Sequence, residues 1–224
     1  MIFTRKKNIN IDINFSNQPI EIVNQFKYLG LIIDEKLTFK PHIEYIKNKI
    51  NQGNGKIYYL SKFLSIDILK KVFYSIIYSH LNLHILIWGG STDSALNPLI
   101  TSVNKTIRNI YHSKDNTAAK YKKLKILTVP QLYDLKLGEF MFKIIQLNDH
   151  QLLQNIIPEI SFHHPYRTRN FNSFRNPPSQ IEPNKRFFVT NAIKFWRTIP
   201  NDTKNSSSLN IFRKKIKDMF LNTR

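Results

Sequence analysis

The stretch Phe26-Lys27-Tyr28-Leu29-Gly30-Leu31-Ile32-Ile33-Asp34, followed by Leu37-Thr38-Phe39-Lys40-Pro41-His42-Ile43, holds the change of period that decides the fold. An aromatic, hydrophobic strand runs to a glycine, resumes as an apolar run and stops at an acidic turn. Leu29 to Ile33 is continuous and β-rich, which predicts a strand buried on both faces. Pro41 then leads an amphipathic helix, because proline suits the first helical turn. Upstream, Ile9, Ile11, Ile13 and Phe15 alternate with Asn and Asp, the period-two pattern of a half-buried strand. Ser16-Asn17-Gln18-Pro19 supplies turn chemistry, and Ile20 and Ile22 begin the predicted return strand.

From residue 41 the period is helical. Ile43, Ile46, Ile50 and Ile57 share one face, and Gly53 and Gly55 weaken the middle of the segment. Ser65 is placed to cap a second helix, Asp67 suits its positive end, and Leu69, Val72, Phe73, Ile76 and Ile77 form its apolar face. Gly89-Gly90 close the following apolar run. A third helix is predicted over about 95–112, with Leu96, Leu99, Ile100, Val103, Ile107 and Ile110 inward. A fourth starts at Pro130 and carries Leu132, Leu135, Phe140, Met141, Ile144 and Ile145. Pro158, Pro165, Pro177, Pro178 and Pro183 mark residues 158–186 as a basic linker or loop. Order is expected to return with Phe187-Phe188-Val189, read as a strand, and Ala192-Ile193-Lys194-Phe195-Trp196. A last helix after Ser206-Ser207-Ser208 has Leu209, Phe212, Ile216 and Phe220 inward and Arg213, Lys214, Lys215 and Lys217 outside.

Thirty-four Lys and Arg stand against 15 Asp and Glu, a formal charge of +19. Such an excess repels itself in a compact fold and is best tolerated beside a polyanion, where each phosphate contact releases counterions. With 42% hydrophobic residues the chain has material for a core and is no solvated tail. It has no cysteine, which excludes disulfides and thiolate zinc sites. The most apolar run, Leu81 to Trp88, is broken by Asn82 and His84 and is too short for a bilayer, so no membrane partner is expected. No Gly-rich phosphate loop and no Ser/His/Asp arrangement stands out. His80 and His84, four residues apart, have no third ligand nearby, and His163-His164 carries no metal pattern.

The block from Phe26 to Ile43 resembles the segment that follows the catalytic center in reverse transcriptases of LINE-type (non-LTR) retrotransposons, such as the jockey and CR1 groups. The likeness continues in order through Ile87-Trp88-Gly89, Asn104-Lys105-Thr106-Ile107-Arg108 and Leu124 to Leu132. It ends with Tyr166-Arg167-Thr168-Arg169, Phe195 to Asp202 and Ser206 to Lys214. The resemblance implies the end of a palm, a helical thumb and a C-terminal segment of an RNA-directed DNA polymerase. It also implies that Met1 is an internal position of a longer, truncated element whose fingers and most of whose palm lie upstream. The expected fold is α+β and mostly α. A palm-edge β hairpin (1–40) leads into a thumb-like helical domain (41–157). A Pro-rich basic linker (158–186) and a strand/helix module (187–224) follow.

Polymerization needs clustered carboxylates holding two divalent ions. In the family these come from a Tyr-x-Asp-Asp hairpin and an earlier Asp, and Mg²⁺ is the metal. No Asp-Asp pair exists here, and Asp34-Glu35, the one adjacent acidic pair, reads as a turn charge. No catalytic or metal-ligating residue is therefore expected, and no cofactor for this chain alone. The resemblance places a primer grip at Tyr28 and Gly30, whose alternative role, with Phe26 and Leu29, is to anchor the sheet. A thumb grips duplex by presenting cations to phosphates. The candidates are Lys47, Lys49, Lys56, Lys62, Lys105 and Arg108, with Lys120, Lys122, Lys123 and Lys125 as the densest cluster. Arg167, Arg169 and Arg175, interleaved with Tyr166, Phe171 and Phe174, suit single-stranded RNA. The expected partners are template–primer duplex and the missing catalytic half, in the nucleus or cytoplasm. The rival readings are a stand-alone basic nucleic-acid-binding protein, the product of a decayed element with no cellular role, and a helical protein that binds acidic partners.

Overall fold

Asp34 ends the second strand of a hairpin and builds the entry to the first helix. Its carboxylate accepts hydrogen bonds from the Thr38 hydroxyl (2.9 Å), the Thr38 N–H (3.1 Å) and the Phe39 N–H (2.7 Å). Those bonds hold Leu37 and Phe39 at φ 51° and 55°, a left-handed conformation that non-glycine residues rarely adopt. Pro41, in the first helical turn, then starts α1, Lys40–Leu60.

In this computed structural model, residues 14–15, 18–112, 116–146 and 188–222 are described. They form a mostly helical α+β fold. Two short antiparallel ladders come first. Strand β1 (Asn14–Phe15) pairs with β2 (Gln18–Pro19), and β3 (Gln25–Tyr28) pairs with β4 (Leu31–Asp34). The helices after α1 are α2 (Ile66–Phe73), α3 (Ser79–Asn82), α4 (Ile85–Trp88), α5 (Asp93–Tyr111), α6 (Thr117–Leu124) and α7 (Val129–Gln146). The C-terminal ones are α8 (Phe188–Thr198), α9 (Asn201–Lys204) and α10 (Leu209–Asn222). A wide π-helical turn, Tyr74–Tyr78, joins α2 to α3 without breaking the helical course.

The predicted helical faces are the buried ones. Ile43, Ile46, Ile50 and Ile57 of α1 lie in one core with Leu69, Phe73, Ile77, Leu99, Val103 and Ile107. Helix α1 packs along α5, and α8 and α10 pack on α7. Phe212 of α10 sits between Phe142 and Trp196, with ring centers 4.7 and 5.9 Å away. Glu139, buried on α7, accepts from Arg213 of α10 through Nε–H (2.9 Å) and a terminal N–H (3.3 Å), and pairs with Lys136 at 3.0 Å. Arg213, expected outside, is thus a tie between helices.

Several expectations are corrected. The run Leu29 to Ile33 is not one buried strand. Leu29 and Gly30 are the two central residues of a hairpin turn, at φ 47° and 88°, and Leu29 is 74% exposed. Only Leu31 of that run is fully buried. Ile20 and Ile22 lie outside any strand and are exposed, because the return strand is the shorter Gln18–Pro19. Phe188 and Val189 are helical, since Val189, Ala192, Ile193 and Trp196 recur at helical spacing and bury one face. Ser65 flanks α2 at its N-cap without a side-chain capping bond. Helix α6 has no counterpart among the helices expected from the sequence. Ile9, Ile11, Ile13 and the 158–186 segment lie outside the described residues.

Helix α1 runs unbroken past Gly53 and Gly55, and the two glycines differ. A Cβ on Gly53 would lie 2.6 Å from Ile77 Cδ1 and 2.9 Å from Ile76 Cγ2, whereas one on Gly55 would meet none of the described residues within 4 Å. Gly53→Ala is therefore expected to lose about 1 kcal/mol net, overpacking outweighing the gain in helix propensity. Gly55→Ala is expected to gain about 0.5–1 kcal/mol. Urea unfolding of both variants checks the opposite signs.

Candidate nucleic-acid interface

The basic positions are arranged by a polar clasp inside the α1–α5 packing. Asn54, flanked by Gly53 and Gly55, is buried. Its amide donates to the Ser102 carbonyl at 3.1 Å, and its carbonyl oxygen accepts from the Thr106 hydroxyl. The Asn109 amide donates to the Asn54 backbone carbonyl at 3.5 Å. Asn54 thus meets 102–109, and Ser61 meets His112, whose Nε2 lies 2.9 Å from the Ser61 carbonyl. The two helices run in the same direction and their C-terminal ends come together. Helix α6 joins them, because the buried Tyr121 phenol donates to Asn104 of α5 at 2.9 Å. Burial pushes that phenol well above the usual tyrosine range, so it stays a donor.

Lys56 and Lys62 near the end of α1, Lys105 of α5, and Lys122, Lys123 and Lys125 on and after α6 are exposed, with Arg108 partly so. The packing of α1 on α5 and α5 on α6 therefore gathers most of the sequence-selected cations on three adjoining helices. Lys125 stands at φ 53°, the left-handed residue that terminates α6. Three candidates are drawn away. Lys120 is only 6% exposed, with its Nζ 6.0 Å from the center of the Tyr111 ring, so it is not part of the exposed cluster. Lys47 pairs with Glu44 at 2.7 Å. Lys49 is half-buried, its Nζ 5.7 Å from the Tyr45 ring, and Lys27 of β3 approaches the same ring at 5.0 Å. Lys27 escaped sequence selection because nothing in a single strand shows which helix it will face.

The hairpin end is fixed to the helical body. A Cβ on Gly30 would lie 3.5 Å from Leu83 Cδ2, and the His84 Nε2 lies 2.9 Å from the Leu29 carbonyl. Gly30 is required chiefly by its φ of 88°. Tyr28 is exposed. Phe26 and Leu29 are exposed as well, so neither buries its side chain to anchor the sheet. His80 and His84 do not share a helical face, because Leu83 is extended and His84 left-handed between α3 and α4. Arg167, Arg169, Arg175 and His163-His164 lie outside the described residues.

Among the described residues no group of three or more His, Asp or Glu side chains is placed to hold a metal. The carboxylate set that would hold Mg²⁺ in the intact reverse-transcriptase family does not fit onto these residues. Trp88 is fully buried and Trp196 nearly so, both as core anchors. Among the described residues no helix is long and apolar enough to cross a membrane. Comparison of the chain with protein-family models, curated proteins and solved structures finds no match.

Proposed function

We propose that the chain is a thumb-like, nucleic-acid-binding part of a LINE-type RNA-directed DNA polymerase, and that it holds template–primer duplex without copying it. One observation carries this reading. Lys56, Lys62, Lys105, Lys122, Lys123 and Lys125 lie exposed on or just past α1, α5 and α6, with α5 packed against both of the others, in a chain with a net charge of +19. Cations spread over a rigid helical surface neutralize phosphates without reading bases, which suits a protein that must grip duplex of any sequence. The collinear resemblance of the sequence to the region from the palm edge to the C-terminal segment of that family supplies the polymerase context.

The missing step is equally specific. In-line displacement by a primer hydroxyl needs two metal ions held by acids. The sequence has no Asp-Asp pair, and Asp34, the acid that ends the hairpin's second strand, spends its carboxylate on the Thr38 and Phe39 donors. Primer extension with Mg²⁺, run beside a binding titration on the same RNA–DNA duplex, tests the proposal. Association with no nucleotide incorporation is expected. Incorporation would overturn the catalytic half of the reading, and failure of the folded chain to associate would overturn the binding half.

A further inference from the structure

The end of α1 carries an aromatic surface that packing does not account for. Tyr58, Tyr59 and Phe63 are 51%, 63% and 71% exposed. Single exposed aromatics are ordinary, but three within one and a half helical turns are not. Backbone bonds from Lys62 to Tyr59 and from Phe63 to Leu60 continue the helical course past the end of α1. They set the Phe63 ring 5.4 Å from that of Tyr59 and the Lys62 ammonium 5.5 Å from that of Tyr58. The His112 ring stands 6.2 Å from that of Tyr58 and tilted to it. Beside Gly55, one turn earlier, none of the described residues comes within 4 Å of where a Cβ would stand.

The charge around this surface selects its occupant. Between Glu44 and Asp93 the sequence holds six lysines (47, 49, 56, 62, 70 and 71) and one acid, Asp67. An apolar protein partner would leave Lys56 and Lys62 without counter-charge at the rim. A single-stranded polynucleotide supplies both complements, since its bases stack on rings and its phosphates meet lysines. A duplex cannot use the rings, because its bases are already stacked on each other.

We infer that Tyr58, Tyr59 and Phe63, flanked by Lys56 and Lys62, form a stacking platform for single-stranded nucleic acid continuing from a bound duplex. This deepens the proposed duplex grip and rests on it. The test compares three probes by fluorescence anisotropy: a blunt RNA–DNA duplex, the same duplex with a single-stranded overhang, and the same duplex with an abasic overhang of equal length. The base-bearing overhang is expected to bind about tenfold more tightly than the abasic one, which has the same phosphates but nothing to stack. Tyr59→Ala with Phe63→Ala should abolish that gain and leave blunt-duplex affinity unchanged. Tyr59→Trp should keep or increase it. Equal affinity for the base-bearing and abasic overhangs, with blunt duplex still bound, overturns the platform and spares the duplex reading. Loss of self-association in the double variant, with overhang binding untouched, assigns the surface to a second copy of the chain and overturns the platform too. No binding to any probe overturns both readings.

Discussion

Trp88→Ala is expected to remove about 3–5 kcal/mol of stability, a large share of the roughly 5–15 kcal/mol available to a domain. Trp88 is fully buried, and its indole N–H donates to the Leu83 carbonyl at 2.8 Å. Its ring meets His42 of α1 edge-on, at 6.2 Å between centers. The substitution would therefore open a cavity and leave the Leu83 carbonyl without that donor. It would also loosen the α3–α4 break, which holds the hairpin through Leu83 beside Gly30 and His84 at the Leu29 carbonyl. Trp88→Phe keeps most of the volume and should cost much less. Ile87→Ala, one residue away but exposed, should stay within about 0.5 kcal/mol. Urea midpoints followed by circular dichroism rank the three variants. A Trp88→Ala cost no larger than that of Ile87→Ala would refute the placement of this segment.

A second large effect lies in the pH dependence, where two groups act in opposite senses. His42 is buried, and its Nδ1 accepts the Ile32 N–H at 3.2 Å, so the proton of the neutral ring sits on Nε2, which has no hydrogen-bond partner among the described residues. Burial first, then the neighboring His84 and Lys27, pull its pKa from 6.5 to about 4. The unfolded chain takes up this proton first. The contribution of His42 to stability is thus complete above the unfolded value and is lost as pH falls toward 4, by on the order of 3 kcal/mol.

Asp134 of α7 lies in an open groove of about 380 Å³ with Asn191 and Lys194 of α8, and burial raises its pKa from 3.8 to about 6. Its contribution is complete below the unfolded value and is lost as pH rises through 6. The two slopes oppose each other between about pH 4 and 6. Asp134→Asn should leave the effect of His42 alone, so that stability climbs with pH across this window. His42→Asn, which keeps an acceptor for Ile32, should leave a slope of the opposite sign. Denaturant midpoints measured across the window decide it. Parallel profiles for the two variants would contradict the assignment.

The helical core is readable because its signal repeats. Ile43, Ile46, Ile50 and Ile57, or Leu99, Val103, Ile107 and Ile110, each mark one face many times over, and burial follows that face. The hairpin turn is not readable, because two-residue turns are recognized by Asn-Gly or Asp-Gly and this one places Leu29 in the left-handed region. Helix α6 is hidden by its lysines: Lys120, Lys122 and Lys123 dominate a segment whose buried apolar residues are Tyr121 and Leu124.

For the candidate interface, exposed lysines are visible as a class, but their pairing is not. Nothing in the sequence separates Lys120, with its stem buried and its ammonium near Tyr111, from Lys123 beside it on α6. Asn54 between two glycines reads as a weak point, yet it is the polar clasp that aligns α1 with α5. Tyr58, Tyr59 and Phe63 do not stand out in the sequence, because aromatic residues near a helix end are ordinarily taken for core. Only their exposure distinguishes them.

Capture of a polyanion by the lysines of the helical surface is the central claim. Affinity for an RNA–DNA duplex, measured over a range of salt concentrations, tests it most directly. The expected result is a steep linear fall of log affinity with log salt. Changing Lys56, Lys62, Lys105, Lys122, Lys123 and Lys125 to Gln should make that slope shallower, by about one for each lysine that meets a phosphate. A folded chain that ignores the duplex at low salt, or a slope unmoved by those substitutions, would contradict the claim.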